Sequence, residues 1–102
     1  MINSIASAEK SNTITRLSES ELIQSILNGE SSQFETIIRN HNPSLHKIGR
    51  SYGFNHEDTQ DLMQETFVSA YLNLSKFENR SSLKTWLIKI MIRNCFRKKQ
   101  KS

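Results

Sequence analysis

The 102-residue chain reads as an all-α protein, a compact bundle of about four helices behind a flexible N-terminal arm. Three observations point there. Only three Gly and one Pro occur, too little punctuation for a β-sandwich or barrel. Apolar residues recur at helical rather than alternating spacing. Ser or Asn stands three residues ahead of an acid at Ser18/Glu21, Ser32/Glu35 and Asn55/Asp58, a pattern that satisfies orphan amides at a helix start. The length suits one modest core, assigned to residues 18–102.

Residues 1–17 are rich in Ser, Asn and Thr, with Ile2, Ile5 and Ile14 on no common face, and form the expected arm. Ser18 and Glu21 open a short first helix bearing Leu22, Ile23, Ile26 and Leu27, which Asn28-Gly29 ends. Ser32 and Glu35 are expected to open the second, whose stripe runs through Phe34, Ile37, Ile38, Leu45, Ile48 and Tyr52. Pro43 falls inside it. Because the stripe keeps phase from Ile38 through His41 to Leu45, one kinked helix is expected rather than two. Gly53 closes that helix, and Asn55 caps a third that carries Met63, Phe67, Ala70, Tyr71 and Leu74 and has acids in its first turns. After an interruption over 75–80, Ser81 is expected to cap a last helix running toward Lys99. There Leu83, Trp86, Leu87, Ile90 and Met91 make one apolar face, while Ile88, Ile92, Cys95 and Phe96 cover much of another, which predicts the most buried element. Lys89, Arg93, Arg97 and Lys101 repeat every four residues down its exposed side.

Several function classes drop out. The apolar run Trp86-Leu87-Ile88 stops at Lys89, far short of the ~20 residues a membrane span needs. The first residues carry no secretory pattern, so a cytoplasmic protein without a membrane partner is expected. Cys95 is the one cysteine and has nothing to pair with, and the three histidines lie near no cysteine pair, so neither a disulfide framework nor a metal or other cofactor is expected. No HExxH, GxSxG or glycine-rich phosphate loop is present; His41 and His46 read as surface or boundary residues, and no catalytic residue is assigned.

The formal net charge of +4 conceals an asymmetry. Residues 1–79 sum to −4 and residues 80–102 to +8, the latter without a single acid. A basic end of this kind is the electrostatic footprint of phosphate binding, with a merely solvated end as the alternative.

The order of residues in the second half narrows the choice. Asp58-Thr59-Gln60-Asp61-Leu62-Met63-Gln64-Glu65-Thr66-Phe67, then Phe77-Glu78-Asn79-Arg80-Ser81-Ser82-Leu83-Lys84-Thr85-Trp86-Leu87, resembles region 2 of the bacterial sigma-70 family, most closely its extracytoplasmic-function (ECF) group. The pattern D-x-x-D-L-x-Q-E-T-F followed by F-x-x-R-S-S-L-x-T-W-L is met at nearly every position. The likeness extends more weakly back to residue 18. Such factors continue through a linker into a second helical domain, so this chain, ending at Lys101-Ser102, is expected to hold only the first. Arg93 and Arg97 stand where many relatives have an asparagine and an acid.

The resemblance implies a set of contacts and no catalysis. Asp58, Asp61, Gln64 and Glu65 would dock on the beta-prime clamp helices of core RNA polymerase, with Met63 and Phe67 pointing inward. Lys76, Phe77, Glu78, Asn79, Arg80 and Ser81 would form the pocket for a base flipped from the minus-ten non-template strand of promoter DNA, although periodicity favours a core place over stacking for Phe77 and Trp86. Lys84, Lys89, Arg93, Arg97 and Lys98 would hold backbone phosphates. An anti-sigma protein that masks the polymerase face is a further implied partner, and the free chain is expected to be a monomer. The competing reading is a helical protein-interaction domain of a transcription regulator without specific DNA recognition.

Overall fold

Helix boundaries follow from capping chemistry that is visible in the computed structural model, which describes residues 19–101. The arm expected over 1–17 and the Ser18 half of the first capping box lie outside those residues. Four helices make up the described chain: α1 over 19–27, α2 Phe34–Ser51, α3 His56–Leu72 and α4 Leu83–Lys101, with single 3-10 turns at Ser31–Gln33 and Leu74–Lys76. No described helix is long and apolar enough to cross a membrane. The chain divides into two compact units between Phe34 and Glu35.

In the first unit Ile23, Ile26 and Phe34 are buried. Gly29 adopts φ +116°, which lets the Glu30 amide donate to the Ser25 carbonyl (3.0 Å) and the Gly29 amide to that of Ile26 (3.1 Å). This pair of bonds satisfies carbonyls that the end of α1 would otherwise leave open. Ser32 does not cap α2. It sits inside the 3-10 turn Ser31–Gln33, two residues ahead of Phe34, where the α-helix begins.

The second unit starts within α2, which runs unbroken through Pro43. Proline removes the amide that would bond the Arg39 carbonyl. Pro43 and Arg39 are both exposed, so water substitutes there and the helix survives. Gly53 at φ +90° then repeats the device used at Gly29: Phe54 donates to Gly49 (3.2 Å) and Gly53 to Arg50 (3.0 Å). Asn55 caps α3 as expected, its side chain accepting from the Asp58 amide at 2.8 Å.

The turn between α2 and α3 brings Gly49 against Thr59. A Cβ added at Gly49 would fall 2.5 Å from Thr59 Cγ2, and Thr59 is fully buried. Helices α3 and α4 pack along their lengths. Leu62, Met63, Phe67 and Ala70 of α3 and Leu83, Leu87, Ile90, Met91 and Cys95 of α4 are buried.

Three expectations about α4 need correction. Its cap is Ser82, whose hydroxyl accepts from the Thr85 amide at 3.1 Å, while Ser81 sits one residue outside. Trp86 is only half-buried and pairs its ring with Phe77 at 5.1 Å. Phe96 is 54% exposed. At 100° per residue it falls about 20° from Lys89 on the solvent side, beside Tyr52 edge-on at 5.6 Å, and away from the Met91 and Cys95 face. On α3, Tyr71 is likewise exposed rather than core.

Gly49→Ala should therefore destabilise the domain by about 1 to 3 kcal/mol, because a buried β-branched neighbour has little room to yield. Thermal unfolding checks it. A midpoint equal to that of the wild type would show that α2 and α3 do not meet at Gly49.

Candidate functional site

One face of α3 is acidic, polar and, unexpectedly, apolar at its far end. Asp61, Gln64 and Glu65 are exposed and Asp58 is half-buried in the first turn. Val68 and Leu72 continue the same face at i+7 and i+11 from Asp61, and they are 55% and 71% exposed. Together with Ser69 and Asn73 they line a shallow depression with Asp61, Gln64 and Glu65. Large apolar side chains left this open in a row of polar ones suit the buried centre of a protein interface with a polar rim. Met63 and Phe67 point into the core as expected.

Past α3 the chain crosses to α4 through a polar loop. Lys76 ends the 3-10 turn and is exposed. Phe77 is half-buried against Trp86, so the two rings form one partly open aromatic step rather than two core residues. Glu78 and Arg80 are exposed and pair at 3.0 Å, an exposed pair worth little and easily exchanged for another partner. Asn79 between them has φ +60°, in the left-handed region that Asn tolerates better than most residues. Ser81 is half-buried and its hydroxyl donates to the Ser82 carbonyl at 3.3 Å.

The opposite charge collects on α4. Lys84, Lys89, Arg93, Arg97 and Lys101 are exposed, as the four-residue repeat required. Lys98 does not join the stripe: it is half-buried and lies 3.7 Å from Asp58. Arg97 likewise reaches Glu65 at 3.9 Å. Cations assigned to DNA thus meet carboxylates assigned to polymerase along the seam between α3 and α4.

A buried network fixes this seam. The Thr66 hydroxyl donates to the Leu62 carbonyl at 2.8 Å, lies 3.3 Å from Met91 Sδ and accepts from Asn94 Nδ2 at 3.1 Å. Asn94 Oδ1 in turn accepts from Arg97 at 3.0 Å. Both Thr66 and Asn94 are buried, and among the described residues no buried side-chain polar atom lacks a partner. Cys95, beside Asn94 and also buried, has its thiol pushed up by burial, with Lys99 opposing, which suits an inert core residue rather than a nucleophile. Among the described residues no group of three or more His, Cys, Asp or Glu side chains is placed to hold a metal ion.

Comparison with known proteins gives a consistent outcome. The sigma-70 region 2 family matches residues 37–102. The ECF RNA polymerase sigma factor SigM of Mycobacterium tuberculosis is 27% identical over 78 residues, which is 76% of this chain and 40% of that protein. RNA polymerase sigma factor SigV of Bacillus subtilis is 31% identical over 68 residues, 65% of this chain and 41% of that one. The chain therefore spans about 40% of the length of these relatives. A solved structure of CnrH in complex with the cytosolic domain of CnrY superposes with a TM-score of 0.67 at 26% identity, covering 74% of this chain and 49% of that one.

Proposed function

The chain belongs to the sigma-70 family, ECF group, through its region 2, and on that footing we propose that it docks on core RNA polymerase and recognises and melts the promoter minus-ten element at transcription initiation. The single observation that carries this reading is the division of labour between helices: an acidic face with an exposed apolar end on α3, a basic face on α4, and a polar loop joining them. A carboxylate and amide face suits the Arg and Lys of a polymerase clamp helix. Val68 and Leu72 supply the apolar contact that charge alone lacks.

The loop and the stripe then divide the DNA contact. Lys76, Phe77, Glu78, Asn79, Arg80 and Ser81 offer amide, hydroxyl and charged groups to the edge of one flipped non-template base, and the Phe77 and Trp86 pair offers a ring face beside them. Extruding a base costs a few kcal/mol and stacking contributes about 1 to 3 kcal/mol, so the melted strand can be held without ATP. Lys84, Lys89, Arg93 and Arg97 hold phosphates, which position the duplex and carry no sequence information. Polymerase binding that engages Asp58 and Glu65 would free Lys98 and Arg97 for the same task. The solved complex of CnrH with the cytosolic domain of CnrY supports a regulatory protein partner for this chain as well. The chain itself contributes binding and no catalytic step.

Asp61→Arg together with Gln64→Arg should abolish binding to the beta-prime clamp helices and leave helix content unchanged, since both positions are exposed. A pull-down with unchanged recovery would remove the α3 assignment. In the loop, Arg80→Ala or Asn79→Gly should flatten discrimination between minus-ten variants by about 1 to 3 kcal/mol; glycine is the substitution of choice at 79 because it keeps the positive φ. Arg93→Ala should instead weaken all sequences alike and lower the salt slope by about one, or less on melted DNA. Salt-titrated binding of the polymerase-bound protein to a panel of forked DNAs separates the two. Uniform losses from the loop variants with altered base preference from Arg93→Ala would mean the roles are reversed.

A further inference from the structure

Neither the acidic face nor the basic one uses the histidines, yet two of them meet. His46 is half-buried on α2 and His56, exposed, is the first residue of α3. His46 Nε2 stands 3.4 Å from His56 Nδ1, with the ring centres 5.5 Å apart and the planes tilted by 57°. We propose that His46 and His56 form a two-imidazole site for a borderline divalent transition-metal ion, zinc being the reference case, which clips α2 to the first turn of α3.

The 3.4 Å contact is a long hydrogen bond between the rings, and the same separation accommodates a shared ion. A well-formed N–H hydrogen bond brings its heavy atoms to about 2.7 to 3.2 Å, shorter than the gap observed. Two nitrogens each about 2.0 to 2.1 Å from one tetrahedral zinc lie about 3.3 to 3.4 Å apart, with ring centres about 5.2 Å apart. The observed separations, 3.4 Å between the nitrogens and 5.5 Å between the ring centres, lie close to that arrangement. Neutral imidazole nitrogens suit Zn, Cu, Ni or Co, and the absence of carboxylates from the pair excludes Mg and Ca as preferred occupants.

The surroundings permit the charge. A cation at the start of α3 faces the positive end of the helix dipole, and Glu57 and Asp58 in the same turn offset it. No third His, Cys, Asp or Glu among the described residues completes a cluster, and the site opens to solvent, so water fills the remaining positions. That makes an exchangeable site rather than a closed structural one. Pre-organisation is good. The Gly49 to Thr59 contact and the Gly53 turn already fix α2 against α3, so binding orders little beyond two side chains.

The experiment titrates the full chain with zinc, and in parallel with magnesium, above the ordinary histidine titration range. Calorimetry should give one zinc per chain, and the thermal midpoint should rise by about 4 °C or more in excess zinc and not in magnesium. His46→Gln and His56→Gln, which keep polar side chains of similar reach, should each lower zinc affinity at least tenfold and remove the midpoint shift, whereas His41→Gln should leave both intact. Absence of zinc binding by the wild-type chain, undiminished binding by either glutamine variant, or saturation at one zinc per two chains would overturn the proposal.

Discussion

The Thr66 to Asn94 hydrogen bond is the contact on which the rest of the second unit depends. Both groups are buried, and a one-turn slide of α3 against α4 would part the Asn94 amide donor from the Thr66 hydroxyl that accepts it. Apolar packing tolerates such slips more readily, because one leucine replaces another at little loss, whereas a lone polar pair within an apolar seam admits one register. That register puts Asp61, Gln64 and Leu72 on one side of the helix pair. It also fixes where the basic stripe of α4 emerges, since Asn94 holds Arg97 directly. The acidic face and the basic stripe thus inherit their relative placement from one amide and one hydroxyl.

Electrostatics then separates what packing has positioned. Acids and bases are segregated along the chain, so the α3 face and the α4 face carry opposite fields at short range. Where they meet, Glu65 with Arg97 and Asp58 with Lys98 lie at 3.9 and 3.7 Å with the side chains substantially exposed. Pairs of this kind contribute little to stability and are screened by salt. They do not brace the fold, and the proposed function gives them other partners.

Much of this was legible in the residues. Asn55 and Gly53 mark their helix ends because capping is local chemistry, decided within four residues, and the apolar phase that agrees on either side of Pro43 signals that α2 continues through it. Met63 and Phe67 face the core because periodicity is strong there. What local pattern could not supply is tertiary. Ser81 and Ser82 are equally good caps in sequence, and only the path of the loop selects Ser82. Phe96 looks like core by hydropathy, yet the angle that places it next to Lys89 exposes it. Val68 and Leu72 share a face with Asp61 at i+7 and i+11, a spacing readable in the residues, but only the packing of α3 on α4 leaves that face open. The His46 to His56 contact depends on the α2–α3 turn and has no sequence signature at all.

In the proposed function these surfaces together turn a nonspecific polymerase into one that reads a minus-ten element. The direct measurement is retention of fork-junction promoter DNA by core RNA polymerase with and without this chain, comparing a melted minus-ten strand with the same bases scrambled. The predicted result is sequence-dependent retention that requires both the chain and core enzyme and weakens as salt rises. Equal retention of intact and scrambled strands, or failure of the chain to associate with core enzyme at all, would contradict it.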